Sequence, residues 1–200
     1  GKQEQRIDGL AVFLDEALDK STKRVQEEFP CPHCGSNLTK KRLDRHYDTK
    51  FDASLDSTIR VPKRKPVLII YKLGMTRLEK QPDERDLDVI ERVARSNLPA
   101  EVPIQKLPYM HMTHERARMD YSGITHVHHF FLPRAAQSLA TLWRKVNRHP
   151  DERIRKMLLF FVEQAIWGMS VLARFVPTHY SQVNQYLTGV YYVASQHAEC

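Results

Sequence analysis

The sequence predicts an α+β fold: a β-hairpin-rich part over residues 1–80, then a mainly helical part over 81–200 with two long adjacent helices. Three observations carry this. Short apolar runs separated by turn residues fill the first part. Apolar residues at helical spacing recur from Pro133 onward, and His149-Pro150 breaks that pattern in two.

In chain order, LAVFL and RVQEEF read as the arms of a hairpin over residues 10–29, with polar Asp19 to Lys23 as its turn. The second arm runs into Cys31-Pro-His-Cys34-Gly35. A strand ending in C-P-x-C-G has the form of a zinc knuckle, because both sulfurs can face one ion and Gly35 permits the tight turn. Thr39 suits the N-cap of a short basic helix, KKRLDRHY. The runs TIRV, PVLIIYKL and TRLEK read as strands, with Gly74-Met75 as a hairpin turn between the last two. Pro82 to Ser96 reads as an amphipathic helix with Leu87, Ile90, Val93 and Ala94 on its apolar face.

Residues 97–122 lack a period and hold three prolines, which predicts a long ordered loop. GITHVHHFF, from Gly123 to Phe131, follows as a strand-like run. Pro133 to Asn147 predicts a helix burying Ala136, Leu139, Ala140, Leu142, Trp143 and Val146. Asp151 to Phe175 predicts a second. Its segment Met157 to Phe175 is nearly apolar enough for a membrane span, but Glu163-Gln164 in mid-span is costly in lipid. The expectation is a helix buried on most sides inside a globular core, with no membrane partner. LTGVYYVAS closes the chain as a strand-like run.

The composition, 42% hydrophobic and 28% charged over 200 residues, is that of a folded domain, alone or with a small appendage. A formal charge of +7 favours a polyanionic partner, nucleic acid being the commonest. Three cysteines make no disulfide framework and point to a reducing cytoplasm. GKQEQRIDG holds no apolar run, so no signal peptide is expected. G-x-x-x-x-G-K-[ST], G-x-G-x-x-G and G-x-S-x-G are all absent, which excludes these phosphate-cradling and nucleophile-elbow chemistries.

Three groups of residues carry candidate chemistry. Cys31 and Cys34 supply half of a zinc site. His33 and His46 are the nearest further ligands, and the other reading is a tight turn with two reduced thiols. His111, His114, His126, His128 and His129 form the second group. On a strand, His126 and His128 would share one face as a metal pair, with Glu115 and Asp120 the nearest carboxylates in sequence. A metal-dependent nuclease built on them is one reading; hydrogen-bonded structural histidines are the other. The third group is basic. Thr39 to Lys65 holds nine positive residues against four aspartates, and Arg134 to Lys156 holds seven against Asp151 and Glu152. Such runs are solvated faces or phosphate contacts.

Four segments, taken in order, resemble the middle of bacterial adenine-specific or cytosine-N4-specific DNA methyltransferases that carry a zinc-ribbon insert. They are EALDKSTKRVQEEFPCPHCGSNLTKKRLDR, VPKRKPVLIIYKLGMTRLEKQPDERDLDVIERV, GITHVHHFFLPRAAQSLATLW and LTGVYYV. The combination of FPCPHCG with ITHVHHFF is the most specific part. The resemblance implies an F-x-G-x-G motif upstream, binding S-adenosylmethionine in the intact enzyme, and a D-P-P-[YF] motif downstream, holding the flipped base. These 200 residues contain neither, so it implies a middle piece without catalytic residues, inactive by itself. The family's first cysteine pair would stand where this chain has KQEQRID, which leaves the ribbon degenerate. The implied partners are double-stranded DNA and the missing catalytic portions of the enzyme. Lys40, Lys41, Arg42, Arg45, Lys63, Arg64, Lys65 and Arg134 are the expected DNA contacts, and Thr125, His126, His128 and His129 are expected to line the cleft. The alternative function is a stand-alone protein-interaction module with basic docking faces.

Overall fold

A computed structural model describes residues 26–31, 34–39, 46–109, 122–176 and 180–183, with positions 19, 21, 193 and 198. The fold class is α+β: small antiparallel hairpins precede the long helices. The chain forms two compact units, residues 1–48 with 62–85, and residues 49–61 with 86–200.

In the first unit, β1 (Glu28–Pro30) pairs with β2 (Asn37–Thr39). Phe29 is almost fully buried opposite Leu38. The intervening turn closes through Cys31 N–H donating to the Ser36 carbonyl and Gly35 N–H donating to the Cys31 carbonyl, both at 2.8 Å. Gly35 takes φ +70°, a conformation that costs other residues about 1 kcal/mol. Thr39 is the last residue of β2, paired to Glu28. Of the expected basic helix, Lys40 to Arg45 lie outside the described residues, and Tyr47 opens β3 (Tyr47–Asp52). β5 (Ile69–Leu73) and β6 (Thr76–Lys80) pair in register around Gly74-Met75, with Gly74 at φ +61° as the two-residue turn requires.

β3 pairs with β4 (Ser57–Pro62), and the turn end of this hairpin, Thr49–Val61, belongs to the second unit. Next comes α1 (Glu84–Ala94), whose expected apolar face buries nothing: Leu87 and Ile90 are exposed. Residues 97–109 run as an extended loop. Leu107 N–H donates to the Thr125 carbonyl at 2.9 Å, and Val127 N–H to the Gln105 carbonyl at 3.0 Å, which pins the loop to the histidine segment.

That segment is not a strand. After the Lys106↔His126 bridge, Val127–Phe130 turns through a 3-10 helix, and Phe131 bridges to Ser170. α2 (Pro133–Asn147) starts on its proline and buries Ala135, Ala136 and Ala140, small residues that allow close approach. α3 (Glu152–Gly168) packs against it across a short turn. Asp151 caps α3 by accepting the Ile154 N–H at 2.9 Å.

α3 stops at Gly168, seven residues before the expected Phe175, and Ala173–Val176 forms β7, paired with β8 (Tyr180–Val183). Nor is α3 buried on most sides. Only Val162 is buried along it, while Met157, Phe160 and Phe161 are exposed. Among the described residues, no helix is long and apolar enough to cross a membrane. In the core of this unit, Ile124, Val171, Leu172 and Val193 pack with Leu107, Phe130, Leu132 and Trp167. The first hairpin arm LAVFL, and LTGVYYVAS apart from buried Val193, lie outside the described residues.

Candidate functional site

Asp52 sits where β3 gives way to its turn. Its Oδ1 accepts the Ser54 N–H at 3.0 Å and its carbonyl accepts the Leu55 N–H at 3.1 Å, an Asx turn that orients the carboxylate. The turn also places Asp56 at φ +48°. The other carboxylate oxygen, Oδ2, faces the 3-10 helix. His128 Nε2 approaches it at 2.8 Å and His129 Nε2 at 3.0 Å. All three side chains are 10% exposed or less.

The 3-10 geometry explains why neighbours in sequence converge. Successive side chains are about 120° apart at three residues per turn. His128 and His129 therefore approach one point from two sides, with ring centroids 4.2 Å apart. His126, expected to pair with His128 across one strand face, stands instead at the rim. Its ring lies 5.7 Å from that of His128, and its Nδ1 meets Thr125 Oγ1 at 2.8 Å. Thr125 also supports His129: its N–H lies 3.2 Å and its Oγ1 3.3 Å from His129 Nδ1. An N–H donated to Nδ1 makes that nitrogen the acceptor, so the hydrogen sits on Nε2 and is donated to Asp52. His128 Nδ1 is buried with no hydrogen-bond partner.

The electrostatics follow from this packing. Burial opposes ionisation of Asp52. The hydrogen bonds from His128, His129 and the Ser54 amide, with the His128 charge, outweigh it and hold the carboxyl below its ordinary value. Burial pushes His129 down, against the bond to Asp52. Burial, then the charges of His128 and Lys106, push His126 down as well, with Asp52 opposing. The resting state is thus an Asp52 carboxylate held between the two histidine Nε2 atoms. Among the described residues, Asp52, His128 and His129 are the only His, Cys, Asp or Glu side chains grouped closely enough, within 4.8 Å, to share a metal ion.

The four residues expected to line a cleft, Thr125, His126, His128 and His129, are thus brought together, three of them in contact through Thr125. Asp52, which organises them, was missed. Its one sequence signal is an aspartate in the turn-like FDAS run, 76 residues before His128. His111, His114, Glu115 and Asp120 lie outside the described residues.

Cys31 is buried and Cys34 exposed, in a tight turn in which Cys34 Sγ lies 3.2 Å from Ser36 Oγ. The Ser36 hydroxyl, the Ser36 amide and Cys31 hold the Cys34 thiol below its ordinary pKa. No third ligand joins the pair among the described residues.

Of the expected DNA contacts, Lys40, Lys41, Arg42 and Arg45 lie outside the described residues. Lys63 and Lys65 are exposed and Arg64 half-buried in the extended segment before β5, and Arg134 is exposed on the first turn of α2. The densest described group surrounds the α2–α3 turn. There Arg144 makes a two-pronged contact to Glu101, Nε at 2.5 Å and Nη2 at 2.7 Å, and pulls the Glu101 carboxyl down to about 2. Lys156 pairs with Glu152, and Arg155 donates to the His149 carbonyl. Lys145, Arg148 and Arg153 are exposed, and none of the three has an ion-pair partner among the described residues. No protein-family model, curated protein or solved structure matches the chain.

Proposed function

We propose that the chain is the DNA-recognition and scaffold insert of an S-adenosylmethionine-dependent DNA amino-methyltransferase, acting on adenine N6 or cytosine N4, and is not catalytic by itself. The observation that carries the reading is the cationic tip of the α2–α3 hairpin. Arg144, Lys145 and Arg148 end one helix, Arg153 and Lys156 begin the next, and three of these five cations carry no intramolecular ion pair among the described residues. Exposed cations on a rigid hairpin suit phosphate contact, which positions a protein on a duplex without reading its sequence. Methyl transfer to a base requires such a grip while the base is extruded. Arg134 on the same unit, and Lys63, Arg64 and Lys65 on the other unit, are each proposed as separate DNA contacts, and the Thr125–His129 segment lines the cleft of the assembled enzyme. The resemblance of the sequence supplies the enzyme class.

A second reading, a protein-interaction module, has its own support. Ile154, Met157, Phe160 and Phe161 are 46–65% exposed, and their spacing places them along one side of α3. In the insert reading, the same side meets the catalytic portions of the methyltransferase.

The test is duplex binding by the chain and by a Lys145→Gln/Arg148→Gln/Arg153→Gln variant. Neutralising three phosphate contacts should reduce the slope of log K against log salt by about 2.7. An unchanged slope removes the α2–α3 tip from the interface and favours the protein-interaction reading.

A further inference from the structure

We propose that Asp52, His128 and His129 form a binding site for one first-row divalent transition-metal ion of the zinc type, held by Asp52 Oδ2 and the two Nε2 atoms, and separate from the Cys31/Cys34 pair. This goes beyond the DNA-contact reading and stands or falls independently of it.

The donor set selects the metal class. Two imidazoles and one carboxylate suit zinc and its neighbours, whereas calcium and magnesium want shells of oxygen. The spacing is close to what such an ion needs. Oδ2 lies 2.8 and 3.0 Å from the two nitrogens. A tetrahedral ion with bonds of about 2.0–2.1 Å separates its donors by about 3.3 Å. Each of the two Asp52–histidine donor pairs need open only by a few tenths of an ångström, within side-chain torsional play. Burial of all three groups already removes most of the competing water.

The supporting shell is in place for Asp52 and His129, while His128 Nδ1 has no hydrogen-bond partner. Ser54 N–H fixes the other carboxylate oxygen, and Thr125 brackets His129 Nδ1. An ion on the two Nε2 atoms leaves each imidazole hydrogen on Nδ1. Thr125 Oγ1, 3.3 Å from His129 Nδ1, is the acceptor for the relocated hydrogen, at the expense of the contact from Thr125 N–H. His126, its Nδ1 held by Thr125, adds no fourth ligand to the group. Three protein ligands leave coordination positions to solvent, the open arrangement of reactive rather than purely structural zinc sites.

The experiment uses the full chain with Cys31→Ser and Cys34→Ser, stripped with chelator and titrated with Co²⁺ and Zn²⁺. The expected result is one ion per chain at micromolar affinity or better, with cobalt absorption typical of nitrogen and oxygen ligands and no thiolate charge-transfer band. Asp52→Asn and His129→Gln should each weaken binding at least tenfold. A readout on the unsubstituted chain covers variants that fail to fold. Nitrogen-15 imidazole spectra should show His128 and His129 changing from the Nε2–H to the Nδ1–H tautomer on addition of zinc. No stoichiometric binding in the serine variant, or zinc-bound spectra with both rings still Nε2–H, overturns the proposal.

Discussion

Removing the Asp52 carboxylate should destabilise the protein far more than removing any exposed aspartate. In metal-free protein, Oδ2 takes hydrogen bonds from two imidazoles at 2.8 and 3.0 Å, in surroundings 10% exposed or less. Hydrogen bonds to a charged group contribute about 1.5–3 kcal/mol each. The pair is thus worth about 3–6 kcal/mol, and Asp52→Ala should cost about 4 kcal/mol, because water entering the vacated space solvates part of the loss. Against a total stability of about 5–15 kcal/mol this is a large fraction. Asp52→Asn should cost less than alanine, since one amide oxygen can still meet either the histidines or the Ser54 amide. The assay is urea unfolding in chelator at pH 7.5, with the exposed Asp88→Ala as the control, expected within about 0.5 kcal/mol of the parent. A loss below about 1 kcal/mol for Asp52→Ala, at unchanged m-value, would refute the view that this carboxylate organises the histidine segment.

Acid should weaken the same cluster. The folded pKa values of His126 and His129 lie below the ordinary 6.5, so the unfolded chain binds more protons once pH falls below that value. The metal-free urea midpoint should therefore fall between pH 7.5 and 5.5, and fall less in His129→Gln. The Glu101–Arg144 pair titrates lower: with a folded pKa of about 2 against an ordinary 4.5, its contribution is complete above 4.5 and vanishes as pH falls through 2. Glu101→Gln should flatten that limb of an acid titration followed by circular dichroism. Ile124→Ala, at a position 1% exposed in the core, should cost about 2–5 kcal/mol in urea unfolding. Asp151→Ala should cost about 1 kcal/mol through loss of the α3 N-cap, measured the same way.

How much of this was legible in the sequence depends on whether the signal was local. Gly74-Met75 set a hairpin turn, and Pro133 opened α2 at the position expected. Both are backbone preferences carried by single residues. β3 was missed because YDTKFD alternates too weakly in polarity to stand out from the basic run before it. α3 was extended too far because apolar residues continue past Gly168 into β7; periodicity did not mark the end, although the glycine did. The cleft residues Thr125 to His129 were recognised by type, but their arrangement was not. A strand reading paired His126 with His128, whereas the 3-10 turn pairs His128 with His129. Asp52 could not be found by proximity in sequence, because a tertiary contact brings it to the histidines.

The central claim concerns a grip on DNA, and binding of the unmodified chain to a labelled duplex at several salt concentrations tests it most directly. The account predicts micromolar affinity that falls steeply with salt, at least as steeply as three phosphate contacts require, and no S-adenosylmethionine binding by the chain alone. Absence of duplex binding even at low salt, or tight binding of the methyl donor, would contradict it.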